Sequence, residues 1–332
     1  MHVVRGFFRL IIGVALVLVV VLVYVNNTSR FSVPRTGSAT VLVHRGMKQR
    51  YGVAEVSFDT CAAAHMFPPE HEYLENTIAS MRAAFDRGAD VVEFDIHPTT
   101  DDRFVVFHDR NLECRTDGHG PTRSHALWEL KALDIGYGYT FDDGHTYPFR
   151  GKGVGLMPTI DEVLQAFPGR SFLIDVKDGE PGDRILLAEY LSRLSMEQRS
   201  KLIVYARGGT LAVLRERFRD LRMFSTISVT SCLLRYIAYG WTGIVPAPCH
   251  DSPIWVPINV VPWLWGWPGL FLHRMEAAGG STILMGRFPG IEISPGLDTL
   301  EDFARVPAGF DGGIWTNNVD LIQSALKRDP VP

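Results

Sequence analysis

Cysteine is scarce in this sequence, since only four of its 332 residues are cysteines. No two of them form a CxxC pair, and the adjacent Cys249 and His250 have no second pair at the spacing of a zinc site. The sequence therefore argues against a structural zinc ion. Whether any two of Cys61, Cys114, Cys232 and Cys249 form a disulfide stays open, because spacing does not reveal pairing.

An excess of positive charge is also missing. The chain has 33 lysines and arginines against 37 acidic residues, which gives a formal net charge of -4. A protein that binds nucleic acid needs a basic patch or stripe to neutralise the phosphates. Nucleic acid is therefore not expected as a partner. No internal sequence repeat is evident either, so a solenoid is not indicated.

Long hydrophobic runs are confined to the N-terminus. Residues 10–25 form an apolar run that reaches bilayer-spanning length if Phe7 and Phe8 join it. No small-x-small cleavage site follows, which favours an uncleaved anchor over a removed leader, the alternative. We predict a membrane anchor at residues 1–25 and a linker at residues 26–38. A short N-terminal tail usually stays cytoplasmic, so the rest of this single-pass protein is expected on the extracytoplasmic side.

Short apolar strands alternate with amphipathic helices after the linker. A strand, a helix and a second strand joined by short links form the βαβ unit of a parallel sheet. Eight such strands indicate one (β/α)8 TIM barrel, a fold of the α/β class, at residues 39–332, with the glycine-rich residues 111–156 as a long loop over its mouth. The predicted strands are residues 39–43, 91–96, 171–177, 201–206, 222–227, 242–247, 281–286 and 312–317.

The stretch EFDIHPTTDDRFVVFHD at residues 93–109 carries the clearest chemical pattern. Side chains alternate along a strand, so Glu93, Asp95 and His97 share one face. Buried anions without partners are costly, so the carboxylates need a cation between them, and oxygen ligands favour Mg²⁺ or Ca²⁺. The second apolar run returns His108 beside these carboxylates, which is a hydrolytic layout. The alternative is a strand whose acidic residues pair with lysine or arginine.

Further polar residues follow other predicted strands. His44 and Arg45 come where the first strand ends, and Asp175 and Lys177 lie at the end of the third. Functional groups of a TIM barrel lie at the C-terminal ends of its strands, so we expect these residues to converge with Glu93 and its neighbours. Three carboxylates can ligate one hard cation, while Arg45 and Lys177 are placed to receive an anion. Phosphate fits that balance of charges.

Seven short motifs follow one another along the chain: HRG at 44–46, ENT at 75–77, EFD at 93–95, HD at 108–109, MPTIDEVL at 157–164, DVK at 175–177 and WTNN at 315–318. HRG or HD alone would mean little, but the whole series in this order is highly specific. In these motifs the chain resembles the glycerophosphodiester phosphodiesterases of the PLC-like phosphodiesterase superfamily. The resemblance covers most of the chain from residue 44 to residue 318.

The resemblance implies a TIM barrel in which Glu93, Asp95 and the acidic residue of the DVK motif hold a divalent metal ion. It also implies that His44 and His108 act as acid and base. The reaction would be hydrolysis of a glycerophosphodiester to glycerol 3-phosphate and an alcohol, in phospholipid catabolism. Where the family usually has glutamate in the third-strand motif, this sequence has Asp175, one methylene shorter, as in the related sphingomyelinase D group.

Two other functions stay open. Asp175 and the predicted anchor favour a phospholipase D-type enzyme that acts on lysophospholipid or sphingomyelin. The non-enzymatic alternative is a membrane-anchored phospholipid-binding protein, because a fold does not fix a function. The presence of all the histidines and carboxylates argues against that alternative. The expected partners are thus a glycerophosphodiester or lysophospholipid substrate and the membrane, through the N-terminal helix.

Residues 254–268 are rich in tryptophan and nearly free of charge. Their place between the predicted sixth and seventh strands puts them on the loop side of the barrel, at its mouth. Either this stretch packs on the barrel rim, or some of its indole rings face the bilayer, where amphipathic rings are favoured. The tryptophans are Trp255, Trp263, Trp265 and Trp267.

Overall fold

A computed structural model describes residues 2–31, 35, 37–51, 60–177, 180–288 and 295–328. Parts of all three predicted segments lie outside the described residues: residue 1 of the anchor, residues 32–34 and 36 of the linker, and residues 52–59, 178–179, 289–294 and 329–332 of the barrel domain.

Nine strands lie in the described part of the chain: β1 Thr40–Val43, β2 Val91–Pro98, β3 Phe104–Val106, β4 Ser171–Val176, β5 Leu202–Tyr205, β6 Arg222–Phe224, β7 Pro253–Pro257, β8 Ser281–Met285 and β9 Gly313–Thr316. Eight of them are neighbours in the order β6-β5-β4-β2-β1-β9-β8-β7, and each pairs in parallel with the next. The ninth, β3, pairs with β2 in antiparallel orientation. The predicted (β/α)8 TIM barrel is therefore confirmed.

The α-helices of the described residues are α1 His2–Asn27, α2 Ile78–Asp86, α3 Leu127–Ala132, α4 Ile160–Ala166, α5 Pro181–Arg193, α6 Met196–Ser200, α7 Gly208–Arg217, α8 Thr226–Tyr239, α9 Gly269–Ala277, α10 Leu300–Phe303 and α11 Val319–Arg328. Local sequence fixes several of their starts. Thr77 accepts a hydrogen bond from the backbone of Ser80 at the start of α2, and Thr159 does the same for Glu162 in α4.

The alternation of side chains along β2 positions the functional groups. Phe94 and Ile96 are fully buried, and the Phe94 ring packs against Phe172 of β4, which contacts Phe85 of α2. This apolar face covers the outside of the sheet, where the helices pack. Glu93 and the other residues of the opposite face therefore point into the barrel.

The barrel closes between β6 and β7 through side chains, with no backbone ladder between these strands. Phe224 of β6 and Trp255 of β7 stack across this seam with their ring centroids 5.5 Å apart. Since β7 is hydrogen-bonded along only one edge, it tolerates Pro253 and Pro257, which would interrupt a central strand.

One predicted strand is wrong. No strand forms at residues 242–247, where residues 243–246 are irregular chain between two short 3-10 helices, Gly240–Thr242 and Ala247–Cys249. Gly243, with a φ of 89°, turns the chain there. The sixth barrel strand is instead β7, so the tryptophan-rich stretch begins in the barrel wall and not in a mouth loop. Trp255 accordingly packs inside the barrel against Trp315, with ring centroids 4.7 Å apart.

A second, smaller hydrophobic core lies beside the barrel mouth, formed by residues 60–74 and 104–157, which we call the mouth subdomain. The glycine-rich residues predicted as a loop thus form a packed unit that includes α3. Gly138 shows why glycine is needed, since a Cβ there would lie 1.9 Å from the backbone oxygen of Cys114. The core residues are Ala63, Met66, Leu74, Val105, Phe107, Leu112, Leu130, Ile135, Tyr139, Phe149 and Met157.

The four cysteines form two disulfides, a point that the sequence leaves open. Cys61–Cys114 joins the two segments of the mouth subdomain, 53 residues apart. Cys232–Cys249 joins α8 to the 3-10 helix that precedes β7. Each bond therefore adds a covalent link between two segments that are separated in sequence.

We expect the paired substitutions Cys61→Ala and Cys114→Ala to lower the free energy of unfolding by about 2–5 kcal/mol, because the unfolded chain gains freedom when a long loop is opened. Urea denaturation of the detergent-solubilised chain measures the change. Peptide mass spectrometry under non-reducing conditions is the control for pairing. Free thiols at these positions in the native protein would contradict the prediction.

Helix α1 is long and apolar enough to cross a membrane over Phe7–Asn27, by length and composition. Its end contacts the barrel. The side-chain amides of Asn26 and Asn27 donate to the backbone oxygen of Trp241 at 3.1 and 2.7 Å, and Arg274 of α9 donates to the backbone oxygen of Asn26 at 2.6 Å. The predicted linker at residues 26–38 thus begins with residues held against the barrel. The division into anchor, linker and barrel stays a prediction.

Candidate active site

Three carboxylates converge inside the barrel near the C-terminal ends of its strands. Glu93 and Asp95 lie on β2 and Asp175 lies on β4, where the parallel register pairs Asp95 with Asp175. One oxygen of each residue lies within 4.8 Å of the others. Asp95 is fully buried and Glu93 nearly so. Carboxylate oxygens grouped in this way are ligands that hard cations prefer.

Two basic side chains face these carboxylates. The Lys177 ammonium lies 2.7 Å from Oδ1 of Asp95 and 2.6 Å from Oδ2 of Asp175. Nε of Arg45 lies 3.1 Å from Oδ2 of Asp95, and the backbone N–H of Arg45 donates to Oε2 of Glu93 at 3.0 Å. Both residues predicted to receive an anionic substrate group therefore lie at the carboxylate cluster, where they already pair with protein carboxylates.

The charges are unevenly compensated within the cluster. Burial, followed by the negative charge of Asp95, raises the pKa of Glu93 well above its usual range. Burial also raises the pKa of Asp175. Burial acts in the same direction on Asp95, but Arg45 and Lys177 outweigh it and hold the pKa of that carboxyl well below its usual value. A divalent cation would stabilise the charged forms of Glu93 and Asp175, so the cluster fits such an ion.

The HRG motif forms a tight turn that directs His44 to the rim of the cluster. Arg45 and Gly46 both have left-handed backbone conformations, with φ of 59° and 70°. A Cβ at Gly46 would also come within 2.8 Å of the backbone and the hydroxyl of Ser80. The turn therefore needs glycine at this position, and the motif follows from the geometry.

The His44 ring lies between the cluster and Trp315. Its Nε2 is 3.9 Å from Oε2 of Glu93, and the ring centroid is 4.8 Å from that of Trp315. Burial, followed by the charges of Arg45 and Lys48, lowers the pKa of His44 well below its usual value. The imidazole is therefore neutral near pH 7 and can accept a proton.

A chain of hydrogen bonds orients His44 from behind. Nδ1 of His44 lies 2.8 Å from Oδ1 of Asn317, whose Nδ2 donates to Oδ2 of Asp298 at 2.5 Å. A carboxylate only accepts hydrogen bonds, so the amide nitrogen must face Asp298 and the amide oxygen must face the ring. Nδ1 of His44 is then the donor, and its Nε2 presents a lone pair to the cluster.

His108 approaches from the other side, after the hairpin of β2 and β3. The backbone N–H of Phe107 donates to the backbone oxygen of Asp95 at 3.1 Å, which places the next residue, His108, near the Asp95 side chain. Its Nδ1 lies 2.7 Å from Oδ1 of Asp109, and Nε of Arg115 lies 3.1 Å from Oδ2 of the same carboxylate. Burial, followed by the charges of Arg45 and Lys177, lowers the pKa of His108 to about 4.

The ENT motif, which directly precedes α2, holds the cluster in place. Glu75 accepts a hydrogen bond from Nη1 of Arg45 at 2.9 Å, and Nη2 of Arg115 lies 3.6 Å from the same oxygen. Asn76, with a φ of 60°, donates from Nδ2 to Oδ2 of Asp95 at 2.7 Å. Burial raises the pKa of Glu75, but Arg115 and Arg45 outweigh it and lower that pKa to about 2. Glu75 is thus a permanent anion that fixes both arginines.

The structure brings together all seven residues that the sequence nominates: His44, Arg45, Glu93, Asp95, His108, Asp175 and Lys177. Sequence reasoning assigned no role to the residues that hold them: Glu75, Asn76, Asp109, Arg115, Asp298 and Asn317. Four of these six belong to the quoted ENT, HD and WTNN motifs. Arg115 and Asp298 stand in no pattern that could have revealed them.

Comparison with known proteins matches residues 44–228 to the model of the glycerophosphoryl diester phosphodiesterase family. A glycerophosphodiester phosphodiesterase of Caldanaerobacter subterraneus subsp. tengcongensis is 32% identical over 130 residues, which are 38% of this chain and 50% of that protein. Human lysophospholipase D GDPD1 is 24% identical over 222 residues, 65% of each chain. The chain spans about a third to a half of the length of the first curated relatives it matches.

Solved structures share the fold. The glycerophosphoryl diester phosphodiesterase domain of Rv2277c from Mycobacterium tuberculosis superimposes with a TM-score of 0.59 at 16% identity, over 87% of this chain and 99% of that one. A phosphodiesterase from Oleispira antarctica, solved with the product sn-glycerol-3-phosphate, superimposes with a TM-score of 0.56 at 18% identity, over 87% of this chain and 97% of that one. At these identities the likeness concerns the fold.

Proposed function

Because the chain belongs to the glycerophosphoryl diester phosphodiesterase family, we propose that it hydrolyses glycerophosphodiesters to glycerol 3-phosphate and an alcohol, as a step of phospholipid catabolism. The observation that carries this proposal is the carboxylate cluster together with two histidines near it, His44 and His108, which are both neutral near pH 7. A phosphodiester needs compensation of its negative charge together with a proton acceptor and a proton donor. The cluster offers all three.

We propose that Glu93, Asp95 and Asp175 hold a divalent cation, Mg²⁺ or Ca²⁺. When bound, such an ion withdraws negative charge from the nonbridging phosphate oxygens. Lys177 and Arg45 lie at the same cluster and contribute positive charge on the protein side. Their hydrogen bonds to carboxylates keep both side chains in fixed positions before substrate binds, which is the preorganisation that electrostatic catalysis requires.

His44 and His108 are the proposed acid and base. Both are neutral near pH 7, so either can accept the proton of the attacking hydroxyl group. An anionic phosphodiester beside the other ring favours its protonated form, which then donates to the leaving oxygen. Asp109 accepts from Nδ1 of His108, as Asn317 does for His44, so each ring presents its Nε2 to the substrate.

The proposal is tested by incubating the detergent-solubilised chain with glycerophosphocholine and measuring glycerol 3-phosphate and choline by mass spectrometry. Release of both products in equal amounts supports the proposal. Binding of glycerophosphocholine without turnover would instead identify a phospholipid-binding protein. Release of phosphocholine and glycerol would show cleavage of the other phosphoester bond and contradict the proposed reaction.

A phospholipase D-type reaction on lysophospholipid or sphingomyelin is the second candidate. Two observations favour it: the similarity to a human lysophospholipase D and the apolar helix α1, which would bring the enzyme to lipid. Lysophosphatidylcholine would then yield lysophosphatidic acid and choline, and sphingomyelin would yield choline and a ceramide phosphate. Comparing kcat/KM for these lipids and for glycerophosphocholine separates the two candidates.

We expect Asp298→Ala to lower turnover about 10- to 100-fold, since loss of the hydrogen bond from the Asn317 amide to this charged group is worth roughly 1.5–3 kcal/mol. The carboxylate also accepts hydrogen bonds from the backbone N–H of Asn317 and from the Thr316 hydroxyl, which the same change removes. Without the carboxylate, the Asn317 amide can rotate and present its nitrogen to His44, which changes the ring nitrogen that carries the proton. Steady-state kinetics measure the effect. Thr299→Ala on the neighbouring residue is the control, because Thr299 caps α10 and has no contact with the ring. Equal losses in both variants would show a structural effect only.

We further propose that α1 is an uncleaved anchor and that the barrel lies on the extracytoplasmic side. The two disulfides support an oxidising compartment. The contacts of Asn26 and Asn27 with the barrel support retention of the helix. Alkaline carbonate extraction tests the anchoring, and digestion of intact cells or spheroplasts by added protease tests the side. Protection of the barrel from that protease would place it in the cytoplasm.

A further inference from the structure

Four exposed apolar side chains cluster where α1 meets the barrel, and we call them the anchor-side patch: Trp241, Ile244, Trp263 and Trp265. Trp263 is 68% exposed and Ile244 is 62% exposed. Single exposed apolar residues are ordinary on protein surfaces, whereas a group of them marks a contact surface. Three of these four are tryptophans, the residue most enriched at membrane–water interfaces.

Hydrogen bonds join the two segments that carry the patch. Nε1 of Trp265 donates to the backbone oxygen of Ile237 at 2.9 Å, and the Tyr236 hydroxyl donates to the backbone oxygen of Trp265 at 2.9 Å. The segment that contains Trp263 is thereby held against the C-terminal end of α8, and Trp241 lies two residues beyond that end. The patch is therefore one surface, although its members are 24 residues apart, from Trp241 to Trp265.

Helix α1 ends at this surface. Trp241 accepts hydrogen bonds from the side chains of Asn26 and Asn27, the last two residues of α1. The Ser29 hydroxyl donates to the backbone oxygen of Gly266 at 2.5 Å, directly after Trp265. An apolar span that stops at Val25 leaves the bilayer core there, so residues hydrogen-bonded to the next few positions lie at headgroup depth.

A buried arginine makes this junction rigid. Nη1 of Arg274 donates to the backbone oxygen of Gly240, at the end of α8, while Nη2 donates to the backbone oxygen of Asn26 near the end of α1. Nη1 also contacts Oδ1 of Asn27 at 3.1 Å. One guanidinium thus caps the C-termini of two helices, where cations are favoured. The barrel is therefore held to the anchor in one orientation.

We propose that the anchor-side patch lies in the headgroup layer of the membrane that α1 spans, so that the barrel rests on the bilayer through Trp241 and Trp263. The lipid headgroups of the bilayer are thus the partner that this surface contacts. The proposal rests on the membrane anchoring proposed above and adds which face of the barrel meets the lipid. It also corrects the expectation that the tryptophan-rich stretch lies at the barrel mouth.

The partners of the patch place it at the opposite end of the barrel from the active site. Trp241 follows α8 and leads toward β7, while Trp267, just beyond the patch, packs against Phe310, which precedes β9 by three residues. Chain that leads into a strand of a (β/α)8 barrel lies at the N-terminal face. Trp263 and Trp265 follow β7, but the hydrogen bonds of Trp265 with Tyr236 and Ile237 hold this segment at the C-terminal end of α8, which lies at that same face. His44 and the carboxylates lie at the C-terminal face.

The test uses the full-length chain in nanodiscs of phosphatidylcholine that is brominated near the ester end of its acyl chains, because bromine quenches indole fluorescence on contact. All seven tryptophans lie between Trp128 and Trp315, so α1 contributes no background signal. We expect Trp241→Phe and Trp263→Phe each to remove part of the quenching seen with brominated lipid, and the double variant to remove most of it. Trp128→Phe is the matched control, since Trp128 is 73% exposed on α3 in the mouth subdomain.

Three results would overturn the proposal, and they are distinguishable. Release of the protein from membranes by alkaline carbonate would refute the anchoring itself. Anchored protein whose quenching is the same in Trp263→Phe and Trp128→Phe would show that the patch faces away from lipid. A dimer in detergent that becomes monomeric in Trp263→Phe, without quenching by brominated lipid, would make the patch a contact between two copies of the chain.

Discussion

Removal of divalent metal with excess EDTA is expected to abolish hydrolysis of glycerophosphocholine, and added Mg²⁺ or Ca²⁺ is expected to restore it. The reason is that burial raises the pKa of Glu93 and of Asp175, and the nearby protein cations do not offset it. A bound metal ion would stabilise the charged form of both carboxylates. Charge stabilisation by a metal ion is worth several kcal/mol, so Glu93→Gln should lower kcat/KM by roughly 10³-fold.

Calorimetric titration of the metal-free protein separates binding from catalysis. Glu93→Gln should weaken metal binding as well as activity, whereas Glu197→Gln, a change of an exposed carboxylate on α6, should alter neither. Full activity in excess EDTA would show that Lys177 and Arg45 alone compensate the phosphate charge. The proposed metal site would then be wrong, although the phosphodiesterase activity would stand.

Replacement of either active-site histidine is expected to reduce activity about as strongly as the Glu93→Gln change does. His44→Ala and His108→Ala should each lower turnover by about 10²–10⁴-fold, the usual contribution of a general acid or base. Each ring is held at Nδ1 by a different partner, Asn317 for His44 and Asp109 for His108, so neither can take over the position of the other. Single-turnover kinetics on glycerophosphocholine measure the chemical step directly.

The matched control is His119→Ala, because His119 is an exposed histidine of the mouth subdomain outside the cluster. Circular dichroism and the thermal midpoint should be similar in all three variants. A near-normal rate in His44→Ala or in His108→Ala would remove that histidine from the mechanism. A lowered thermal midpoint together with lost activity would point to misfolding, and His→Gln variants would then replace the alanine series.

The barrel could be predicted from sequence because its strands and helices alternate with clear periodicity. The error at the sixth barrel strand has a physical origin. Pro253 and Pro257 bound β7, and proline within an apolar run argues against a strand. The prolines are tolerated because β7 forms no backbone hydrogen bonds with β6, so no ladder hydrogen bond is lost on that edge. This missing ladder is a property of the closed barrel, and local sequence does not reveal it.

Some residues of the candidate site could be predicted from sequence and others could not. His44, Glu93 and Asp175 could be nominated because each lies at the end of an apolar strand, where a barrel collects its functional groups. Asp298 could not, because it reaches His44 only through Asn317, 19 residues away, and it lies in irregular chain. Arg115 could not be nominated either. Its ion pair with Asp109 forms only when the mouth subdomain has folded over the barrel.

The docking of α1 at the N-terminal face has a consequence for which phosphodiesters can reach the enzyme. Asp175 is the fifth residue of β4, so at about 3.3 Å per residue and a strand tilt of about 36° the carboxylates lie on the order of 10 Å above the start of the strand. With the barrel resting on the bilayer as proposed, they stand at least that far above the lipid surface. A substrate must therefore cross water to arrive. Each acyl CH₂ adds about 0.8 kcal/mol to the cost of leaving the bilayer. Glycerophosphodiesters without acyl chains should be used most readily, single-chain lysophospholipids less so, and sphingomyelin least.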